Sequence, residues 1–164
     1  MPALQVGRKA PGFTLPTTDG EELSLQEALA RGPVVLAFMK ISCPVCQYAF
    51  PFFERLYQAN RNGRLTVFGI SQNDEDGTEQ FMRTFGVTFP VLLDDPETYP
   101  VSNAYGITNV PTMFLIAPDG TIELASVGWN KKDVEAVSRR LAHDGMPPAS
   151  VFHPGEHVVD SKAG

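Results

Sequence analysis

The chain holds two cysteines, Cys43 and Cys46, in the stretch Ser42-Cys43-Pro44-Val45-Cys46. A cysteine thiolate attacks disulfide sulfur, and a second thiol within ring-closing reach can then displace the product. Position decides whether this pair can do so. Val34, Val35, Leu36, Ala37 and Phe38 precede it without a polar face, which reads as a buried strand. Gln47 to Tyr57 follows with bulky apolar residues at helical spacing. Cys43 is therefore expected at a helix N-terminus and Cys46 one turn in, on the same side. Unpaired backbone N–H groups and the positive dipole end of that helix would favour a thiolate at Cys43.

Other chemistries fit two cysteines. Half of a zinc site would need two more ligands at fixed spacing. His143, His153 and His157 lie roughly a hundred residues downstream in one cluster, without a second cysteine pair. Two unrelated buried thiols are a further possibility, although Pro44 suits a first helical turn. A purely structural disulfide is the third, and a two-residue loop makes a poor staple. A strand, C-x-x-C and a helix inside a βαβ pattern favours redox chemistry over all three.

The bulk numbers bound the rest. At 164 residues the chain is one domain able to bury a core without disulfides or metals. Hydrophobic content of 43% and charged content of 20% are those of an ordinary globular protein. A formal net charge of −6 argues against nucleic acid or an anionic membrane as partner. Residues 1–9 carry no apolar signal core, and no stretch is long enough to span a bilayer, so a cytoplasmic protein is expected. Paired cysteines in such a compartment are more often catalytic than structural.

The elements that position the pair can be read in order. Pro11 to Glu22 suggests a short extended piece and a hairpin-like turn at Asp19-Gly20. Ser24 with Glu27 forms a capping box for a short helix ending near Gly32. After the first core strand and the cysteine helix, which Pro51 should kink and residues 60–63 should stop, Leu65 to Ser71 is a second buried strand. Asn73-Asp74-Glu75-Asp76-Gly77 reads as a solvated loop and helix N-terminus, without the spacing of a calcium loop. Thr78 to Phe85 should be a helix, Phe89 to Leu93 a short strand, and Val101 to Tyr105 a small helix. Thr112 to Ile116 and Ile122 to Val127 flank Pro118-Asp119-Gly120, a strong hairpin signature. Lys131 to Ala142 closes as an amphipathic helix. The expected fold is α/β: a central mixed sheet with helices on both faces, an N-terminal extension and an inserted helix and strand. Residues 1–143 form the domain. Residues 144–164 shift to Gly, Pro, Ser and His and are expected as a surface-packed or partly disordered tail.

Val110-Pro111-Thr112 stands directly before the hairpin strand. A proline there lacks a ladder N–H and belongs at an edge or bend. In company with the cysteine pair, a cis Val110–Pro111 bond is expected, turning Val110 outward to meet an extended substrate. Pro44, Val45, Val110 and Pro111 are the candidate substrate-contacting residues.

With these residues in place the chain resembles thioredoxin-fold proteins of the TlpA/ResA type, within the wider redoxin and peroxiredoxin-like group. The resemblance runs through 6–13, 38–46, 67–71, 89–93, 104–116 and 118–122. It implies thiol–disulfide exchange with Cys43 as nucleophile, Cys46 as resolving thiol and Pro111 as the cis-proline. It implies no cofactor and no metal, and a disulfide-bearing substrate with a partner reductant or oxidant. Departures are Ser42 where relatives usually carry Trp, and Ala37 and Ala49 where relatives place an acid. Glu54 or Lys40 could stand in for that acid as proton acceptor, or be plain surface charges.

Two other functions compete. A peroxidase would oxidise Cys43 to a sulfenic acid and resolve it with Cys46. Its usual pattern wants Thr and Pro at the positions of Lys40 and Leu36. A non-enzymatic Cu(I)- or zinc-binding role would join Cys43 and Cys46 to a histidine such as His143.

Overall fold

The computed structural model describes residues 2–61, 63–143 and 151–164, with His143 described by its backbone alone. Val34–Met39 (β3) is the centre of the fold, and none of its six residues is exposed to solvent. Its side chains alternate between two cores. Val35, Ala37 and Met39 face one, and Val34, Leu36 and Phe38 face the other. That double burial is why the segment shows no polar alternation in sequence.

Around β3 a five-stranded mixed sheet is built. Thr66–Ser71 (β4) pairs parallel on one side, followed outward by Val91–Leu93 (β5), also parallel. On the other side Thr112–Ile116 (β6) pairs antiparallel, and Ile122–Val127 (β7) completes the hairpin. Thr14–Pro16 (β1) and Glu22–Ser24 (β2) form a separate antiparallel hairpin around Asp19-Gly20. Ser24 Oγ then accepts the Glu27 N–H at 3.1 Å and starts Leu25–Leu29 (α1), the N-cap half of the expected capping box.

Helices cover both faces of the sheet. Pro44–Ala59 (α2), Glu75–Phe85 (α3) and Lys131–His143 (α5) close the core on the Ala37 side. The N-terminal extension, α1 and Pro100–Ala104 (α4) close the other. α2 runs continuously through Pro51. It lies close to β4 because Gly69 has no side chain; a Cβ there would meet Val91 at 3.0 Å and Phe50 at 3.3 Å. α3 begins three residues earlier than its apolar spacing suggests. Asp74 caps it by accepting the Gly77 N–H at 2.9 Å, and Glu75 and Asp76 suit the positive end of the dipole. The acidic stretch is thus mostly first helical turn. No described helix is long and apolar enough to cross a membrane.

Residues 144–150 of the expected tail lie outside the described residues, whereas 151–164 pack back along α2. Val151 and Val158 are buried. Trp129, the chain's one tryptophan, sits beneath them with its ring 4.9 Å from Phe52 and 5.5 Å from Tyr48. Its indole N–H donates to the Val159 carbonyl at 2.8 Å. Ser161–Lys162 (β9) pairs antiparallel with Trp129–Asn130 (β8). Gly128, at φ +78°, allows the approach, since a Cβ there would lie 2.5 Å from the Lys162 carbonyl oxygen.

Arg55 on α2 holds this strap by a two-pronged pair with Glu156, both contacts 2.7 Å, and a 3.0 Å bond to the Val151 carbonyl. Arg55 in turn holds the Glu156 carboxyl down to about 2, against an ordinary 4.5. A lowered carboxyl pKa contributes stability that is fully present above the unfolded value and fades as pH falls toward the folded one. The strap should therefore loosen between pH 4.5 and about 2. Trp129 fluorescence over that window should change more in the wild type than in Glu156→Gln; equal changes would show that the pair does not hold the strap.

Candidate active site

The C-terminal end of β3 delivers the chain into a tight turn, and two polar side chains hold that turn in place. The Asn73 carboxamide accepts the Ile41 N–H at 2.9 Å. The Gln47 carboxamide donates to the Ile41 carbonyl at 3.0 Å. The Cys43 N–H closes the turn onto the Lys40 carbonyl at 3.2 Å. Neither Gln47 nor Asn73 stood out in the sequence. Each is a polar residue just beyond a buried element, a signal too common to select them.

Cys43 is the N-cap of α2, with extended backbone at φ −85° and ψ 113°. Its carbonyl accepts the first helical bond, from the Gln47 N–H at 3.1 Å. Its sulfur takes the role usually played by a serine or aspartate oxygen and accepts the Cys46 N–H at 3.2 Å. Pro44 occupies the first helical turn, where its missing N–H costs nothing. Cys43 is half-buried, Pro44 exposed and Val45 half-buried. Cys46 is fully enclosed. Both cysteines are free thiols.

Enclosure separates the two chemically. Burial, and next the adjacent Cys43 side chain, push the Cys46 thiol well above the usual cysteine range. Ala37 and Ala49 are both wholly buried and offer no acid to oppose this. Glu54 is committed elsewhere: its carboxylate accepts the Thr88 N–H at 2.8 Å, the Thr88 hydroxyl at 2.6 Å and the Phe89 N–H at 3.3 Å. It pins the entry to β5.

The second wall comes from the loop before β6. The Val110–Pro111 bond is cis. Val110 is half-buried and Pro111 buried. The Cys43 thiol donates to the Val110 carbonyl at 3.3 Å, joining positions that are 67 residues apart in sequence. Thr112 Oγ1 donates to the Asn109 carbonyl at 2.7 Å and steadies the bend. Below it, buried Asp94 accepts from the Val101 and Ser102 N–H groups and from the Ser102 hydroxyl, capping α4. Tyr105 then anchors the loop's start by donating to the Pro11 carbonyl at 2.6 Å. From the other direction the strap reaches the same loop, where the Asn109 carboxamide donates to the Gly164 carbonyl at 3.1 Å.

Cys43, Cys46, Pro44, Val45, Val110 and Pro111 are thus neighbours in space. Such an arrangement can hold a nucleophilic sulfur at the surface, a second sulfur one helical turn behind it, and a main-chain edge beside both. Among the described residues, no three His, Cys, Asp or Glu side chains form a group that could hold a metal. His153 and His157 are exposed on the strap, and the side chain of His143 lies outside the described residues.

Comparison with known proteins agrees with this geometry. Residues 6–125 match the AhpC/TSA family. The chain is 30% identical to the thiol-disulfide oxidoreductase ResA of Geobacillus thermodenitrificans, over 81% of this chain and 76% of that protein. It is 28% identical to ResA of Bacillus subtilis, over 94% of this chain and 79% of that one. Among solved structures it resembles a thiol:disulfide interchange protein DsbE from Chlorobium tepidum, with a TM-score of 0.75 and 26% identity, covering 86% of this chain and 98% of that one. The five-stranded mixed sheet with helices on both faces is accordingly a thioredoxin-like fold, and the chain belongs to the AhpC/TSA family, in its ResA-like group.

Proposed function

We propose that the protein is a thiol–disulfide oxidoreductase working through Cys43 and Cys46. The observation that carries this is the asymmetry of the pair: a half-exposed sulfur at a helix N-cap, facing the Val110 carbonyl, with a buried thiol one turn behind. In the reducing direction the Cys43 thiolate attacks one sulfur of a substrate disulfide, and the other sulfur leaves as a thiolate that takes up a proton. A mixed disulfide now joins Cys43 to the substrate. Cys46 loses its proton and attacks the Cys43 sulfur, which expels the second substrate thiolate and closes a Cys43–Cys46 disulfide. Two electrons have passed to the substrate, and a partner dithiol returns them by the reverse sequence. Val110 and Pro111 offer the edge against which an extended substrate lies, and Pro44 and Val45 form the exposed rim.

The peroxidase reading is weaker. The positions that should carry Thr and Pro hold Lys40 and Leu36, and Leu36 points into the core away from the cysteines. A metal-binding reading has no third ligand among the described residues.

A redox titration, with thiols alkylated and counted by mass, tests the proposal. A single two-electron transition is expected. A midpoint near about −270 mV would make the protein a reductant, and one near about −120 mV an oxidant. Failure to form an intramolecular disulfide at any poise would sink the mechanism. Cys43→Ser should reduce disulfides no faster than the uncatalysed rate. Cys46→Ser should accumulate substrate disulfide-bonded at Cys43, visible on non-reducing gels; wild-type turnover by Cys43→Ser would assign the nucleophile elsewhere.

The raised Cys46 thiol gives a pH signature. With its titration displaced above the accessible range, the thiolate fraction grows about tenfold per pH unit. Release of a preformed Cys43 mixed disulfide, followed by rapid quench, should accelerate by about that factor per unit from pH 7 to 9. A plateau below pH 8 would reveal a base that takes the Cys46 proton.

A further inference from the structure

Beside Val110 lies a cavity of about 200 Å³. That is smaller than the roughly 300–1,000 Å³ typical of sites for drug-sized ligands, and of a size for one side chain or small polar group. Two of its lining residues touch the nucleophile: Lys40, whose carbonyl accepts the Cys43 N–H, and Val110, whose carbonyl accepts the Cys43 thiol. Most of the polar wall is already engaged. Asn103 donates to the Thr98 carbonyl, Thr108 to the Asn109 side chain, and Asn109 to Gly164. Three side-chain donors of the lining remain uncommitted among the described residues: the Lys40 ammonium, which forms no ion pair, the half-buried Gln72 carboxamide and the Tyr99 hydroxyl. No Asp or Glu lines the cavity. The nearby Asp94 carboxylate lies behind Ser102 and is already met by three donors, so the lining itself presents donors in a chain of net charge −6. The strap's end also packs closely on Val110, since a Cβ on Gly164 would lie 2.6 Å from the Val110 carbonyl oxygen.

We infer that this cavity is a carboxylate subsite. Resting on the oxidoreductase reading above, it names the substrate class: disulfides that carry a carboxylate within about one residue of the reacting sulfur. Lys40 and Gln72 hold the carboxylate while Val110 guides the sulfur onto Cys43. Lys40 is then a specificity residue, and its position three residues before Cys43 has a use that proton transfer does not supply.

The test compares matched disulfides reduced by the prereduced protein. One pair is 3,3′-dithiodipropionate and its dimethyl ester. The other is the disulfide-linked dimers of acetyl-Gly-Cys-Asp-amide and acetyl-Gly-Cys-Asn-amide. The acid-to-neutral ratio of second-order rate constants, from single-turnover oxidation of the dithiol, removes any general effect of Lys40 on the thiol. It should fall about three- to tenfold in Lys40→Gln, as for one partly exposed charge-assisted contact. It should also fall in Gln72→Ala, be largely retained in Lys40→Arg, and shrink with added salt. Dependence in the small pair alone identifies a low-molecular-weight acid; dependence in the peptide pair identifies an acidic residue beside the substrate cysteine. Turnover of all four with a ratio unmoved by Lys40→Gln overturns the subsite and leaves the oxidoreductase reading standing. Failure to reduce even the neutral ester overturns that reading, and the subsite with it.

Discussion

Burial of β3 on both faces is the constraint on which the remaining geometry depends. A strand with a solvated face could tolerate a shift along its neighbours, but a one-residue slip here would exchange Ala37 with Phe38 and send each into the wrong core. Parallel pairing with β4 and antiparallel pairing with β6 fix the strand from both sides. Its C-terminal end is therefore held at one height relative to the Val110 loop, because Phe38 pairs with Thr112, two residues beyond Val110. The 3.3 Å contact between Cys43 and Val110 follows from that register. Open α/β sheets place their sites at the carboxyl ends of strands for the same reason.

The two sulfurs differ because the helix that carries them meets the sheet at one end only. Cys43, as cap, stands where α2 has begun to form and water still reaches. Cys46, one turn on, is already covered by the packing of α2 on β3. One short motif thus supplies an accessible thiol and an enclosed one without any charged group between them. The acids that relatives place at the positions of Ala37 and Ala49 would lie inside this apolar contact, where an unpaired carboxylate costs several kcal/mol. Two alanines keep the packing dry and place no acid at these two positions beside Cys46.

Much of this was legible from residue order. The uninterrupted apolar run at β3, the Ser24 N-cap, the Pro118-Asp119-Gly120 hairpin and the Cys-Pro-Val-Cys motif each encode local structure through local chemistry, and each appears as read. The start of α3 is not encoded in its apolar spacing, which locates the buried face of a helix, whereas Asp74, a polar cap, sets where it begins. Glu54 looked like a free charge because its partners, Thr88 and Phe89, are 34 and 35 residues away. The strap was the least legible part. Its period-free composition hides the buried Val151 and Val158 and the half-buried Phe152, whose ring meets those of Trp129 and Phe52. Contacts of that kind depend on the finished surface and leave no pattern in the segment itself.

That strap also bears on how the chain is made. Arg55 meets Glu156 across 101 residues and Tyr48 meets Val159 across 111. At a synthesis rate of roughly 5–20 residues per second, α2 waits about 5–20 s before its covering segment exists. Over that interval the sheet can pair and α2 can dock, yet Phe52 and Tyr48 lack their cover, joined only late by Trp129, which precedes Val159 by 30 residues. The nascent domain is at its stickiest just before completion, when its cysteine motif is already assembled.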